Sequence, residues 1–429
     1  MGKTAARDDR KTIWSWAFYD WANSAFATVV LAGFFPLLFQ DFWSSDATPD
    51  QANLRLGWVN AAASVLIALC APFIGAVADG MGAHKRMLVA FAVPGIFATG
   101  LLAVVPEGAW GWAGILFVCA SIGFMGANLL YDALLVHVAR PARWHQVSGL
   151  GFGLGYLGGG LLYLICVAMA LKPGVFGFSD STQAVLAAFL FTAGWWALFS
   201  IPLILWVPES APIRLKGTSV WRQNLRQLRE TFFYVLRSRS IGFFLLAYWL
   251  YIDGVGTVIR MAVAYGRALG IEQSYLITAL LLVQFVGFPA AIAFGHLGQR
   301  IGPKRGIYIG IAVYILVCVW GAFIRAPWEF FAIAVLIGLV QGGVQALSRS
   351  FYAQLIPAHK SGEFFGFYNL MGRFAALIGP PLFGLFGVWF GDVRYSMLAL
   401  ILLFVVGGLL LSRVPTEPSQ GINASESAS

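Results

Sequence analysis

Apolar runs of about 20 residues or more follow one another along nearly the whole 429-residue chain, separated by short polar breaks. A bilayer core about 30 Å thick takes about 20 apolar residues per helix. Lipid also leaves every backbone N–H and C=O to be satisfied within its own segment. Runs of this length, repeated this often, dictate a bundle of membrane-spanning helices. Composition agrees: 59% of the residues are hydrophobic and 11% are charged, against about 25% charged in a soluble domain. The expected class is an all-α polytopic membrane protein. The net charge of +9 does not imply nucleic acid, because Lys and Arg sit in the short breaks rather than along a phosphate-tracking surface.

The runs resolve into twelve expected spans, at 13–39, 54–78, 87–105, 111–139, 147–171 and 183–207, then 240–266, 272–298, 306–325, 328–356, 364–390 and 394–412. The domain reading is a six-helix half over 1–208, a basic linker over 209–239, a second six-helix half over 240–412 and a polar, disordered tail over 413–429. The first run far exceeds a 7–15-residue signal core, so it is read as a retained helix. An even number of spans puts both termini on one side. Of the 28 Lys and Arg residues, only Arg55, Lys172, Arg267, Arg325 and Arg394 fall in breaks on the opposite side. This asymmetry predicts cytoplasmic termini and a cytoplasmic linker. In the linker, Trp221, Leu225, Leu228 and Phe232 share a helical face beside Arg222, Arg226 and Arg229, a pattern suited to an anionic membrane surface.

Charges inside spans are the chemically informative residues. A carboxylate facing lipid costs about 2.5–3.5 kcal/mol on insertion scales. Such a group should face a bundle interior or a wet cavity. The set is Asp20, Asp132, Asp253, Arg260 and Arg349, with Arg373 as a supporting charge. Asp20, Asp132, Arg349 and Arg373 are expected at similar depth, roughly 10–12 Å inside one face by helical rise. Asp253 and Arg260, seven residues apart, should share a face of span seven. An Asp could bind an ammonium group or a proton, and an Arg could bind a carboxylate through two parallel bonds. The same groups could instead pair across helices as a gate. His137 is expected near a helix end. Cys70, Cys119, Cys166 and Cys318 fall in apolar runs without paired spacing and read as small buried hydrophobes. Gly153-Leu-Gly-Tyr-Leu-Gly158 fits a dinucleotide fingerprint but lies inside a span, where its glycines permit close helix packing. No cofactor, metal site or enzymatic motif is expected.

The two halves repeat. Gly75-Ala-Val-Ala-Asp79-Gly-Met-Gly82-Ala-His-Lys85-Arg86 follows span two, and Gly295-His-Leu-Gly-Gln299-Arg-Ile-Gly302-Pro-Lys304-Arg305 follows span eight. The first of these resembles the signature loop of the major facilitator superfamily. That resemblance implies two six-helix halves around a central cavity lined by the first, fourth, seventh and tenth helices. It also implies a cytoplasmic latch of Gly75, Asp79, Gly82, Lys85 and Arg86, in which Asp79 caps a neighbouring helix and pairs with the basic residues. Gln299 stands in place of the Asp in the second copy, so only the first copy is expected to form a charged latch. Tyr19-Asp-Trp-Ala-Asn-Ser-Ala25, Ser148-Gly-Leu-Gly-Phe-Gly-Leu-Gly-Tyr-Leu-Gly-Gly-Gly160 and Gln341-Gly-Gly-Val-Gln-Ala-Leu-Ser-Arg-Ser350 are similar to the vacuolar effluxer-like branch. Its fungal members are linked to autophagy and vacuolar amino-acid export. Span four holds no Arg before Arg140, and the Gly-Pro pair of antiporter members is found in span eleven, as Gly379-Pro380-Pro381.

Together these features predict a secondary transporter of a small polar solute, with amino acids as the candidate class and efflux as the direction. A co-transported proton or ion is a candidate partner. The expected setting is a monomer in a bacterial inner membrane. The alternative is a non-transporting membrane scaffold or sensor built on the same fold.

Overall fold

The computed structural model describes residues 8–209, 220–268, 270–374 and 377–415. Helix α1 (Arg10–Ala25) continues through π-helical and α-helical turns to Trp43. It is followed by α2 (Pro49–Met81), α3 (His84–Leu101), α4 (Trp110–Val138), α5 (Trp144–Leu171) and α6 (Ser181–Trp206). Helix α7 (Val220–Arg237) connects to the second set. That set comprises α8 (Arg239–Ala268), α9 (Gln273–Ile301), α10 (Pro303–Gly321), α11 (Pro327–Leu355), α12 (Ser361–Phe374), α13 (Gly379–Phe390) and α14 (Ser396–Ser412). Among the described residues, eleven candidate spans are long and apolar enough to cross a membrane, and α14 adds a shorter apolar helix. Alternating direction places Arg10, the α2–α3 and α4–α5 turns, α7 and Ser412 on one side, here called the terminal face.

Local chemistry sets the helix ends. Thr12 N–H donates to Asp9 Oδ2 at 3.0 Å at the start of α1. Thr48 and Gln51 exchange side-chain and backbone bonds at the start of α2, where Pro49 needs no donor. Gln183 N–H donates to Asp180 Oδ1 at 2.8 Å and holds that carboxyl below its usual range. Gly82 ends α2 at φ 58°, a left-handed conformation that glycine adopts freely, and turns the chain directly into α3.

The expected single span at 364–390 is two helices. Pro380 and Pro381 carry no N–H, and their rings crowd the preceding turn. The described part of α12 runs to Phe374, the backbone is bent at 377–378, and the helix resumes at Gly379. Helix α13 packs on α14 and α8 within its own half.

The two halves meet chiefly through α2 against α12 and α5 against α9, with α5 also against α11 and α4 against α12. At the terminal face these crossings need glycine. A Cβ on Gly75 would stand 1.9 Å from the Gly362 carbonyl oxygen, and one on Gly295 would stand 2.8 Å from that of His145. Farther along α5, Gly153 abuts Ile292 and Gly160 abuts Gln284 of α9, while Gly155 and Gly159 admit Ser24 and Thr28 of α1. The glycine-rich stretch is thus a packing surface on two sides, as its sequence suggested. Cys166 and Cys318 are buried, whereas Cys70 and Cys119 are exposed on the outside of the bundle, contrary to the expectation that all four are buried.

Helix α7 lies against α2 and α12, with Phe232 facing Phe367 and Tyr234 facing Phe364 at ring separations of 6.3 and 6.0 Å. The side chains of Trp221, Arg222, Leu225 and Arg226 fall outside the described residues.

Overpacking at the Gly75–Gly362 crossing should pry the terminal face open, because a backbone carbonyl cannot move aside as a side-chain tip can. With the four native cysteines replaced by serine, a cysteine at the buried Ser361 is expected to react with a polar thiol reagent about 10-fold faster in Gly75→Ala than in its parent. Equal rates would show that the crossing tolerates the methyl group.

Candidate functional site

A cavity of about 490 Å³ lies between the halves. Its walls come from α1, α4 and α5 on one side and α8, α9, α11 and α12 on the other, and they include Asp20, Asp132, Arg349 and Arg373. These four do not form the single charged layer expected from the sequence. Counted from the observed helix ends on the terminal face, Asp132 and Arg349 stand about 9 Å deep, Asp20 about 15 Å and Arg373 about 18 Å. The charges occupy two levels.

The shallow level is a closed network across the halves. Arg349 is 1% exposed. Its Nη1 lies 3.0 Å from Asp132 Oδ1, Nε donates to Ser148 Oγ at 2.9 Å, and Nη2 donates to the Ser148 carbonyl at 2.9 Å. Asn369 Nδ2 donates to the other Asp132 oxygen at 3.1 Å. The guanidinium also lies against the rings of Phe152, Trp16 and Tyr131, at 4.3, 5.0 and 5.3 Å. Gly151 leaves the space, since a Cβ there would stand 2.6 Å from the Tyr131 hydroxyl and 3.1 Å from Arg349 Nη2. Asp132 and Ser148 belong to the first half, Arg349 and Asn369 to the second. Ser148 opens one of the glycine-rich stretches, and Asn369 is an amide one turn before Arg373. Neither carries a charge, which is why charge counting passed over them.

The deeper level is only partly occupied by internal partners. Asp20 is 8% exposed and makes no ion pair among the described residues. Ser24 Oγ donates to it at 3.0 Å and the Tyr131 hydroxyl at 3.4 Å. Asn23 and Asn128 hydrogen-bond beside it. Gly155 makes room for the carboxylate, because a Cβ there would stand 2.9 Å from Asp20 Oδ1. Across the cavity, Arg373 is half-buried and makes no hydrogen bond or ion pair with any described residue. The sequence placed it as a supporting charge, yet it stands on the cavity wall, while Arg349 is fully engaged.

Asp253 and Arg260 share a face of α8, as expected, and lie 3.9 Å apart. Neither is part of the cavity wall. Asp253 Oδ2 accepts the backbone N–H groups of Ile378 and Gly379, each at 3.0 Å, at the start of α13.

The latch loop also departs from expectation. Asp79 caps a helix of the opposite half: the N–H groups of Gly362 and Glu363 donate to its two oxygens at 2.9 and 2.8 Å. Its side-chain partner is His84, at 2.9 Å, rather than Lys85 or Arg86. The His84 ring lies 5.2 Å from that of His137, which reaches Ser361 at 3.2 Å. Lys85 Nζ instead donates to the carbonyls of Ile204 and Val207 at the end of α6, and Arg86 pairs with Glu209 at 3.6 Å. The second half repeats the lysine contact: Lys304 Nζ donates to the carbonyls of Ser412 and Val414 at the end of α14. Each lysine thus satisfies carbonyls that a helix end leaves unpaired.

Two six-helix halves enclosing a polar cavity, closed on one side by charged contacts between them, define a membrane transporter of the major facilitator class. Residues 8–54, 58–145 and 141–422 match the family described as "Vacuole effluxer Atg22 like", and the chain belongs to that family. It is 38% identical over 411 residues to the "Uncharacterized MFS-type transporter YxiO" of Bacillus subtilis, covering 95% of this chain and 96% of that one. It is 27% identical over 294 residues to Autophagy-related protein 22-1 of Aspergillus fumigatus, covering 62% of this chain and about half (47%) of the fungal protein. Among solved structures, it superposes on the proton:xylose symporter XylE with a TM-score of 0.75 at 14% identity, over 95% of this chain and 96% of that one. The human organic anion transporter MFSD10 gives a TM-score of 0.73 at 17% identity, over 95% and 100%. At these identities the two structures establish the fold alone.

Removing one member of a buried pair strands the other. Arg349→Gln or Asp132→Asn alone should lower the thermal midpoint of the purified protein, each by an amount equivalent to about 3–5 kcal/mol. The double variant should be more stable than the sum of the two losses predicts. Additive losses in the melting curves would mean that the two residues do not act as a pair.

Proposed function

We propose that this protein is a secondary transporter that carries a small zwitterionic solute, of the amino-acid class, by alternating exposure of the cavity to the two sides of the membrane. The observation that carries this reading is the division of the cavity charges. Asp132 and Arg349 satisfy each other, whereas Asp20 and Arg373 face the cavity from opposite halves without an ion-pair partner among the described residues. A solute with an ammonium group and a carboxylate would complete both: Arg373 would hold the carboxylate and Asp20 the ammonium group or, in its place, a proton. A volume of about 490 Å³ lies within the range of small-ligand sites.

The shallow network supplies the gate. Opening the terminal face must separate Asp132 and Ser148 from Arg349, and Asp79 from the start of α12, because the partners lie on different halves. The basic residues of the terminal face support cytoplasmic termini in a bacterial cell membrane. In that orientation the present conformation is closed towards the cytoplasm. Export and a monomeric transporter complete the reading.

Counter-flow in proteoliposomes, across a panel of amino acids with and without a pH gradient, tests this. Saturable exchange of at least one amino acid is expected. Arg373→Gln should raise KM about 10-fold or more, the effect of losing a charge-assisted hydrogen bond. Asp20→Asn should remove the response to the pH gradient. No flux of any solute by well-folded protein would replace transport with a scaffold or sensor role.

A further inference from the structure

Helix α8 meets the break in span eleven with two side chains one turn apart. Trp249 Nε1 donates to the carbonyl of Phe374, the last described residue of α12, at 2.9 Å. Asp253 accepts the two N–H groups that open α13. The approach is close enough to require glycine, since a Cβ on Gly379 would stand 2.0 Å from Thr257 Oγ1 and 2.6 Å from Asp253 Oδ1. Asp253 is fully buried. Thr257 Oγ1 donates to its Oδ1 at 3.2 Å, and Arg260 Nη2 lies 3.9 Å from that same oxygen. In an apolar layer, an interrupted helix exposes N–H and C=O groups that water cannot reach. A carboxylate caps the start of α13, and on the other side of the bend an indole N–H joins the Leu377 N–H on the Phe374 carbonyl. The same stretch of α8 also presents Tyr248, which stacks on Tyr368 at 4.2 Å and lies beside Gly372. Arg373 is therefore bracketed by residues that α8 holds.

We propose that Trp249 and Asp253 are positioning residues: they clamp the two ends of the break and so fix where Arg373 stands in the cavity. This rests on the reading of Arg373 as the group that binds the solute's carboxylate. Asp253 acts as a hydrogen-bond acceptor for backbone and stands off the cavity wall.

The proposal is tested without knowing the solute. The full-length chain, with its four cysteines changed to serine, carries Arg373→Cys and is treated with a negatively charged methanethiosulfonate. A Ser24→Cys version reports on the opposite wall. Asp253→Ala and Trp249→Phe should each lower the modification rate at position 373 by roughly fivefold or more, with the rate at position 24 unchanged. Asp253→Asn keeps an acceptor and caps a helix about as well as Asp. It should leave the rate at 373 close to its parent. An unchanged rate in Asp253→Ala or Trp249→Phe would overturn the clamp. So would an Asp253→Asn effect as large as that of Asp253→Ala, because the charge and not the acceptor would then matter. Should Asp253→Ala fail to fold, Trp249→Phe still decides. Failure of Arg373 to affect transport would refute its binding role while leaving this reactivity measurement intact.

Discussion

A guanidinium inside a bilayer must find its partners where it sits, and Arg349 finds them on the other half of the molecule. Its ion pair, both of its Ser148 hydrogen bonds and two of its three ring contacts involve residues brought by α4 and α5. The third ring, Trp16, comes from α1. Such satisfaction is conditional on geometry: it exists only while the halves are closed against each other at this level. Breaking it exposes a charge whose desolvation the protein must offset in some other way. The terminal face is therefore held by a contact that is either complete or costly, which is the property a two-position gate needs.

The latch around Asp79 applies the same physics with backbone in place of a guanidinium. The first N–H groups of α12 have no intrahelical acceptor, and a carboxylate from α2 supplies one across the interface. Asp253 does the equivalent for α13 within one half. Three of the buried carboxylates thus serve structure, two at helix starts and one opposite Arg349. Of the two carboxylates on the cavity wall, Asp20 is the one whose hydrogen bonds, from Ser24 and Tyr131, come from its own half alone. Lys85 and Lys304, by contrast, close carbonyl ends of α6 and α14 in matching positions, so the repeat in the sequence survives as a repeated cap rather than as a repeated charge pair.

Much of the architecture was legible in the chain, because apolar length and the placement of Lys and Arg are properties of single segments. The twelve spans, the glycine surface of α5 and the inward location of Asp20 and Arg349 follow from that level. Depth did not follow so well. Arg373 was placed level with Asp20, Asp132 and Arg349 by counting from approximate ends. The observed starts of α1 and α12 put Asp20 and Arg373 some 6–9 Å beyond the other pair. Asp253 was read as a candidate for solute or proton because a buried carboxylate in a lining helix invites that reading. Its true partners are backbone amides 125 and 126 residues away. Nothing in the residues around Asp253 announces them. The Gly379-Pro380-Pro381 run was visible, but its consequence needed the third dimension: a break whose loose ends must be satisfied by a neighbour.

In the proposed gate, the Asp132–Arg349 contact is what keeps the terminal face shut. Electron–electron double resonance between spin labels at the exposed positions 86 and 300, one on each half at that face, measures the separation directly. The parent protein should give one narrow, short distance, and Arg349→Ala should give a broader distribution shifted to longer distances. The same narrow distribution in both proteins would contradict the claim and leave the buried pair as a packing feature with no part in the gate.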